Sequence, residues 1–170
     1  GYAMTEKQGG SDLRQTQTTA AFVGTDNGVQ VYSITGHKWF FSVPTSDGFY
    51  TLARTQSGVS CLFVPRFLPD GSANRVAVQR LKDKCGNRSN ASSEVEFNKT
   101  WAMLVGEEGR GIREILTHAH LTRLDFAVGS AGLMRQALIL AIGHASTRDG
   151  FGRRMADLPM QTNVLADLAL

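Results

Sequence analysis

Hydrophobic and polar residues alternate over short runs in residues 1–100, which is the period of β-strands. The dipeptide Asn27-Gly28 separates two such runs, residues 16–23 and 29–34, and favours a tight hairpin turn. Further strands are predicted over residues 37–43, 49–54, 59–64, 75–81 and 93–97. We therefore expect about seven antiparallel strands that form a small barrel or sandwich.

The period changes at residues 106–111, beyond which apolar residues recur every three or four positions. This pattern predicts a helix over 112–146, with a break near 120–122 because Thr122 and Asp125 have the spacing of a capping box. An unbroken helix would be about 50 Å long, which suits a bundle whose other helices lie outside this chain. Leu158-Pro159 predicts the start of a second helix. The expected fold class is α+β, with a β-domain over 1–105 and an incomplete helical domain over 106–170.

Composition says little about the ligands of this protein or its cellular compartment. No apolar run approaches the ~18 residues of a membrane span, and no basic-then-apolar leader opens the chain. Cys61 and Cys85 lack metal-like spacing, and the four histidines do not suggest a zinc site, so we expect no metal and a cytoplasmic protein. The net charge of +3 suits an anionic ligand but does not by itself indicate DNA. The densest basic stretch comprises Arg75, Arg80, Lys82, Lys84 and Arg88.

The segment GYAMTEKQGGSD at residues 1–12 carries the most chemistry. Thr5 offers a hydroxyl that can donate and accept hydrogen bonds. Gly9 and Gly10 lack Cβ atoms, so main-chain N–H groups can approach a bulky ligand closely. Ser11 and Asp12 can stabilise a turn through side-chain to main-chain hydrogen bonds. These groups suit the polar edge of a flavin and its phosphates, although ordinary surface loops use the same residue types.

This segment resembles the flavin-binding signature of the acyl-CoA dehydrogenase family. Four further segments match that family in the same order: GHKWFFS at 36–42, RLKDKCGNRSNAS at 80–92, LVGEEGRGI at 104–112 and STRDGFG at 146–152. Phe40 stands where the family has a tryptophan, and Ser42 stands where a family threonine hydrogen-bonds the N5 edge of the flavin. Several of these segments are most similar to a family branch that responds to DNA alkylation. The chain is therefore expected to be a piece of a larger enzyme.

The resemblance implies FAD as cofactor and an acyl-CoA as substrate. It assigns FAD contacts to residues of the β-domain: Met4, Thr5, Gly10, Ser11, Phe40, Phe41 and Ser42. Arg148 and Phe151 would reach the FAD of a neighbouring subunit, since the family forms homotetramers. Substrate contacts would come from Thr5, Ser11 and Arg123.

The resemblance also implies a reaction, α,β-dehydrogenation of a short or branched acyl-CoA, in which a carboxylate takes the α-proton and hydride passes to flavin N5. Some members carry this base immediately before the residue that matches Arg123, where this chain has Thr122. Glu6 belongs to the motif and is assigned a structural role. No residue of this chain is identified as catalytic, the base is expected beyond Leu170, and the piece alone is expected to be inactive.

Two alternatives remain open. In the alkylation-response branch, dehydrogenation is vestigial and the protein protects DNA against alkylation, binding double-stranded DNA through a region absent from this chain. The other alternative is a β-barrel interaction module without a cofactor. Co-purification of stoichiometric FAD with the intact protein would exclude the latter.

Overall fold

The computed structural model describes all 170 residues and confirms the α+β class. It contains two compact units, Gly1–His118 and Ala119–Leu170. The strands of the first unit are β1 (Tyr2–Ala3), β2 (Thr19–Asp26), β3 (Val29–Phe41), β4 (Gly48–Thr55), β5 (Gly58–Pro65), β6 (Val76–Leu81) and β7 (Ser93–Val105). Helix α1 (Gly111–Thr147) is followed by β8 (Asp149–Gly150), β9 (Arg153–Arg154) and α2 (Pro159–Ala169).

The seven strands of the first unit form one sheet in the order β1-β3-β2-β4-β5-β7-β6. Additional pairings of β1 with β4 and of β3 with β7 fold the sheet back on itself and give a sandwich-like architecture. The hairpin between β2 and β3 turns at Asn27 and Gly28, whose φ angles are 48° and 82°. Both residues are left-handed, as a tight two-residue hairpin turn requires, so this prediction is confirmed.

Two strands are longer than their sequence patterns indicate. Residues 29–34 and 37–43 are predicted as separate strands, but Val29–Phe41 form the single strand β3, which ends before Ser42. Its pairing with β7 shifts register between Ile34 and Gly36. The strand predicted over 93–97 extends to Val105, because β7 pairs with β3, β5 and β6 along its length. Pairing with distant strands therefore set these lengths.

Two buried clusters stabilise the first unit. The larger one lies inside the sheet and includes Phe41 and Phe49, whose ring centroids are 4.4 Å apart. The smaller one joins Leu52, Val59 and Cys61 to Ile115, so the first turns of α1 pack on the sheet. The boundary between the two units falls within the sequence of α1, after His118, and the boundary proposed at residues 105/106 stays a prediction.

Helix α1 is continuous, so the predicted break near residues 120–122 is wrong. Thr122 and Asp125 do not begin a helix because the chain is already helical on both sides of them. Many large apolar side chains of the second unit are exposed, among them Leu121, Leu124, Phe126, Leu133, Met134 and Leu140.

By length and composition α1 is apolar enough to cross a membrane. This finding corrects the expectation that no segment of the chain approaches such a span. One helix of this kind is weak evidence for a membrane span, because core helices of soluble proteins meet the same criteria. The second helix begins at Pro159, as predicted.

Candidate functional site

The first residues of the motif are part of the sheet. Ala3 of β1 pairs with Phe41 of β3, and Tyr2 pairs with Tyr50 of β4. The main-chain N–H of Ser42 donates to the Tyr2 carbonyl at 3.1 Å. The Tyr2 N–H donates in return to the Ser42 Oγ at 2.8 Å. The start of the motif and the end of β3, predicted separately to contact one ligand, are therefore directly bonded.

Thr5 and Gly10 face each other across the loop that follows β1. The Thr5 carbonyl accepts a hydrogen bond from the Trp39 N–H at 2.8 Å. Its hydroxyl has no hydrogen-bond partner in the chain. A Cβ at position 10 would lie 2.4 Å from the Thr5 Oγ1, so only glycine fits there. The Thr5 side chain therefore packs directly on the Gly10 main chain, and its hydroxyl is left unpaired there.

Phe40 and Phe41 have different environments. The Phe40 ring is 43% exposed and lies 4.7 Å from the Lys82 Nζ. Lys82 also lies 3.2 Å from the centre of the Trp39 ring and forms an ion pair with Glu94 at 2.7 Å. Phe41 is fully buried in the larger cluster. The Phe40 ring is therefore partly accessible to a ligand, whereas the Phe41 side chain is inaccessible and only its main chain could contact one.

Met4 and Ser11 flank the pair formed by Thr5 and Gly10. Met4 is half-buried against the smaller core cluster. Ser11 is exposed, and its hydroxyl has no partner in the chain. The next residue, Asp12, caps a short 3-10 helix by accepting a hydrogen bond from the Arg14 N–H at 3.1 Å. This cap fixes the end of the loop and leaves the serine hydroxyl available.

A buried ion pair lies behind this loop. The Lys38 Nζ donates to the Glu6 Oε1 at 2.8 Å, and both side chains are almost completely inaccessible to solvent. Burial alone would raise the pKa of Glu6, but hydrogen bonds from Gln8, Lys38 and Thr18 lower it to about 2. Burial lowers the pKa of Lys38, and Glu6 acts in the opposite direction. Lys38 was not among the predicted site residues, although a lysine inside a strand otherwise rich in apolar residues is a signal of a special role.

In the second unit, Arg148 lies between α1 and β8, and Phe151 lies at the turn between β8 and β9. Phe151 lies at the turn with φ of 53° and is 96% exposed. A left-handed backbone is costly for an aromatic residue, which marks this position as a candidate contact site. The main chain of Arg148 is fixed by hydrogen bonds with His144 and Met155, both at 2.9 Å. Its side chain forms no ion pair, whereas Arg154 pairs with Asp149 at 3.3 Å.

Arg123, the third predicted site residue of the second unit, is exposed on α1. It forms no ion pair with Asp125 or Glu114. The catalytic base stays a prediction outside this chain. The carboxylates with a shifted pKa are Glu6, Asp70 and Glu94, and all three values are lowered by hydrogen bonds. A lowered pKa makes each of these three carboxylates a weaker base.

Residues 1–100 match the family model of the acyl-CoA dehydrogenase middle domain, and residues 109–170 match that of the acyl-CoA dehydrogenase C-terminal domain. The chain belongs to the acyl-CoA dehydrogenase family. The motifs therefore lie in the family context that their spacing indicated. The assignment of individual residues to FAD or substrate stays a prediction.

Relatives in this family are similar along the whole chain. AidB of Escherichia coli (strain K12) is 51% identical over 170 residues, which are 100% of this chain and 31% of that protein. The mitochondrial isovaleryl-CoA dehydrogenase of Oryza sativa subsp. japonica is 28% identical over 170 residues, 98% of this chain and 40% of that protein. The structure of Caenorhabditis elegans ACDH-11 in complex with C11-CoA superposes with a TM-score of 0.86 at 31% identity, covering 99% of this chain and 30% of that one. The chain thus spans less than half the length of these relatives.

Proposed function

We propose that this chain supplies the FAD-binding and acyl-CoA-binding β-domain, and the first helices of the C-terminal domain, of an acyl-CoA dehydrogenase-like oxidoreductase. The observation that carries the proposal is the convergence of Thr5, Gly10 and Ser42. The Thr5 hydroxyl, packed on Gly10, and the Ser42 hydroxyl, bonded to Tyr2, lie at the two ends of the paired segments β1 and β3, and Phe40, two residues before Ser42, is partly exposed. The C11-CoA ligand of the ACDH-11 structure supports an acyl-CoA substrate.

The residues present fit a flat ring with a polar edge. The Thr5 hydroxyl is unpaired, and the Ser42 hydroxyl accepts from Tyr2 while keeping its own O–H for another acceptor. Phe40 offers an apolar face. When bound, FAD would supply the hydride acceptor for oxidation of the acyl chain between its α and β carbons. The chain's own contribution is to orient the ring edge with hydroxyl groups and to exclude water from one face.

Two further parts of the reaction are assigned to groups elsewhere in the assembly. We assign removal of the α-proton to a carboxylate outside residues 1–170, because no acidic side chain described above suits that role. Arg148 and Phe151 would contact the FAD of a neighbouring subunit in a homotetramer. A guanidinium group without an ion-pair partner suits the pyrophosphate, which it can bind through two parallel hydrogen bonds.

The test is an anaerobic visible spectrum of the full-length protein before and after addition of isovaleryl-CoA. Prompt bleaching of the oxidised flavin band is the expected result. Ser42→Ala should alter flavin binding or slow the bleaching, whereas Thr45→Ala, an exposed hydroxyl nearby, should not. An unchanged spectrum and rate in Ser42→Ala would remove this residue from the site. Protein purified without flavin that also fails to bind added FAD would refute the function.

Protection of DNA against alkylation is the second candidate, because the chain is far more similar to AidB than to isovaleryl-CoA dehydrogenase. The basic stretch from Arg75 to Arg88 gives little support to DNA binding by this chain. Arg80 and Lys82 both pair with Glu94, and Arg88 pairs with Asp83. These two carboxylates offset part of the positive charge that a DNA backbone would need.

A persistent flavin band together with salt-dependent duplex binding by the full-length protein would favour DNA protection over dehydrogenation. Equal duplex binding by residues 1–170 alone would place the DNA contacts on this chain, contrary to our assignment.

A further inference from the structure

We define the motif loop as residues 5–12. The Glu6 carboxylate accepts hydrogen bonds from this loop and from the residues packed around it. Its Oε1 accepts from the Lys38 Nζ at 2.8 Å and from the N–H and hydroxyl of Thr18 at 3.1 and 2.7 Å. Its Oε2 accepts from the Gln8 side chain at 2.8 Å and from the Gln17 N–H at 2.7 Å. Five donors surround one carboxylate, so an ionised Glu6 is fully satisfied although it is buried.

Lys38 connects this carboxylate to the sheet. The side chain is 1% exposed, and its Nζ donates to the Leu52 carbonyl of β4 at 2.7 Å as well as to Glu6. A buried ion pair is a poor source of net stability, because removing both charges from water costs about as much as their attraction returns. The arrangement therefore calls for an explanation other than stability alone.

The two charged residues adjoin the proposed site on both sides. Thr5 directly precedes Glu6, and Trp39 directly follows Lys38. The Thr5 carbonyl and the Trp39 N–H are bonded at 2.8 Å, so the ion pair and this hydrogen bond together join the motif loop to the last residues of β3.

We infer that Glu6 and Lys38 are positioning residues for the proposed FAD site, where their ion pair fixes the motif loop against the end of β3. The identity of the ligand rests on the proposed function, whereas the effect on the loop does not. Four of the five donors to Glu6 belong to the loop or to residues 17–18 just after it. Strands β4 and β5 pair from Gly48–Pro65 to Thr55–Gly58. Lys38 donates only one hydrogen bond to these strands, to the Leu52 carbonyl.

The test compares hydrogen exchange in the FAD-free full-length protein and in its Glu6→Gln/Lys38→Met double variant. The double variant leaves no buried charge without its partner, so it should retain most of the thermal stability of the parent. Amides of Gly9 and Trp39, which donate to the main-chain carbonyls of Glu6 and Thr5, should exchange about tenfold faster or more, because these bonds depend on the loop position. Amides of the β4–β5 ladder should exchange as in the parent.

Matched variants show whether the effect is local. Asp83→Asn also converts an ion-paired carboxylate to an amide, but on the surface, and should leave loop exchange unchanged. Gln8→Ala removes one exposed donor to Glu6 and should give a smaller acceleration at the same amides. This variant keeps the test decisive if the double variant does not fold.

FAD affinity supplies the second measurement. The dissociation constant for FAD should rise about tenfold or more in the double variant, with melting temperature close to that of the parent. Parental loop exchange in both the double variant and Gln8→Ala would overturn the inference, and so would faster loop exchange with unchanged FAD affinity. A parent that binds no FAD would refute the proposed function, while the exchange data alone would still decide whether the pair fixes the loop.

Discussion

Acidification should destabilise the first unit through Glu6. Burial by itself would raise the pKa of this group, but hydrogen bonds lower it from 4.5 to about 2 in the folded protein. The folded state therefore binds the proton more weakly than the unfolded state. The resulting stability is present in full above the unfolded pKa and is lost as the pH falls through the folded one. A lowering of this size corresponds to about 3 kcal/mol, more than half of which should be lost by about pH 3.

Urea unfolding of the full-length protein, measured at several pH values between 6 and 3, tests this magnitude. Trp39 and Trp101 both lie in the first unit, so tryptophan fluorescence follows its transition. Glu6→Gln cannot titrate at position 6. Its stability should be lower than that of the parent near pH 6, and the difference should shrink by about 2 kcal/mol on going to about pH 3.

The result that refutes this reasoning is a parallel loss of stability in the parent and in Glu6→Gln over the same pH range. Such a result would mean that acid acts through other carboxylates. Asp83→Asn serves as the control, because Asp83 is exposed and its carboxylate is paired only with Arg88. Its pH profile should follow that of the parent.

Three further predictions concern other parts of the chain. Gly10→Ala places a methyl group 2.4 Å from the neighbouring threonine hydroxyl and should weaken FAD binding about tenfold in reconstitution titrations. In Gly129→Ala the added methyl group meets no atom within 4 Å, so FAD binding should not weaken. Equal weakening in both variants would contradict the proposed contact. Asn74→Ala removes side-chain hydrogen bonds to the main chain of β5 and β7 and should lower unfolding free energy by about 2–4 kcal/mol; a melting temperature within error of the parent would argue against this role. Burial raises the pKa of Cys61 to about 12, so a thiol reagent should label exposed Cys85 in the folded protein and Cys61 only after unfolding; rapid labelling of both would show that Cys61 is accessible.

Local signals predicted the features that depend on neighbouring residues. The hairpin at Asn27 and Gly28 follows from the ability of these two residues to adopt left-handed backbone. The start of α2 follows from a proline whose fixed φ suits the first helical turn. The motif residues could be named from sequence because the family resemblance supplied their order. Their common location could not be derived that way, since Tyr2 and Ser42 meet only when β1 pairs with β3.

The sequence alone therefore determined the strand and helix types, the turn and the family to which the motifs belong. Tertiary structure decided the length of β3, the burial of Phe41 and the continuity of α1. It also decided the ion pair of Glu6 with Lys38, which joins residues 32 positions apart. Periodicity reports how a residue relates to its neighbours in the chain, whereas pairing, burial and charge compensation depend on partners that only the folded sheet brings within contact.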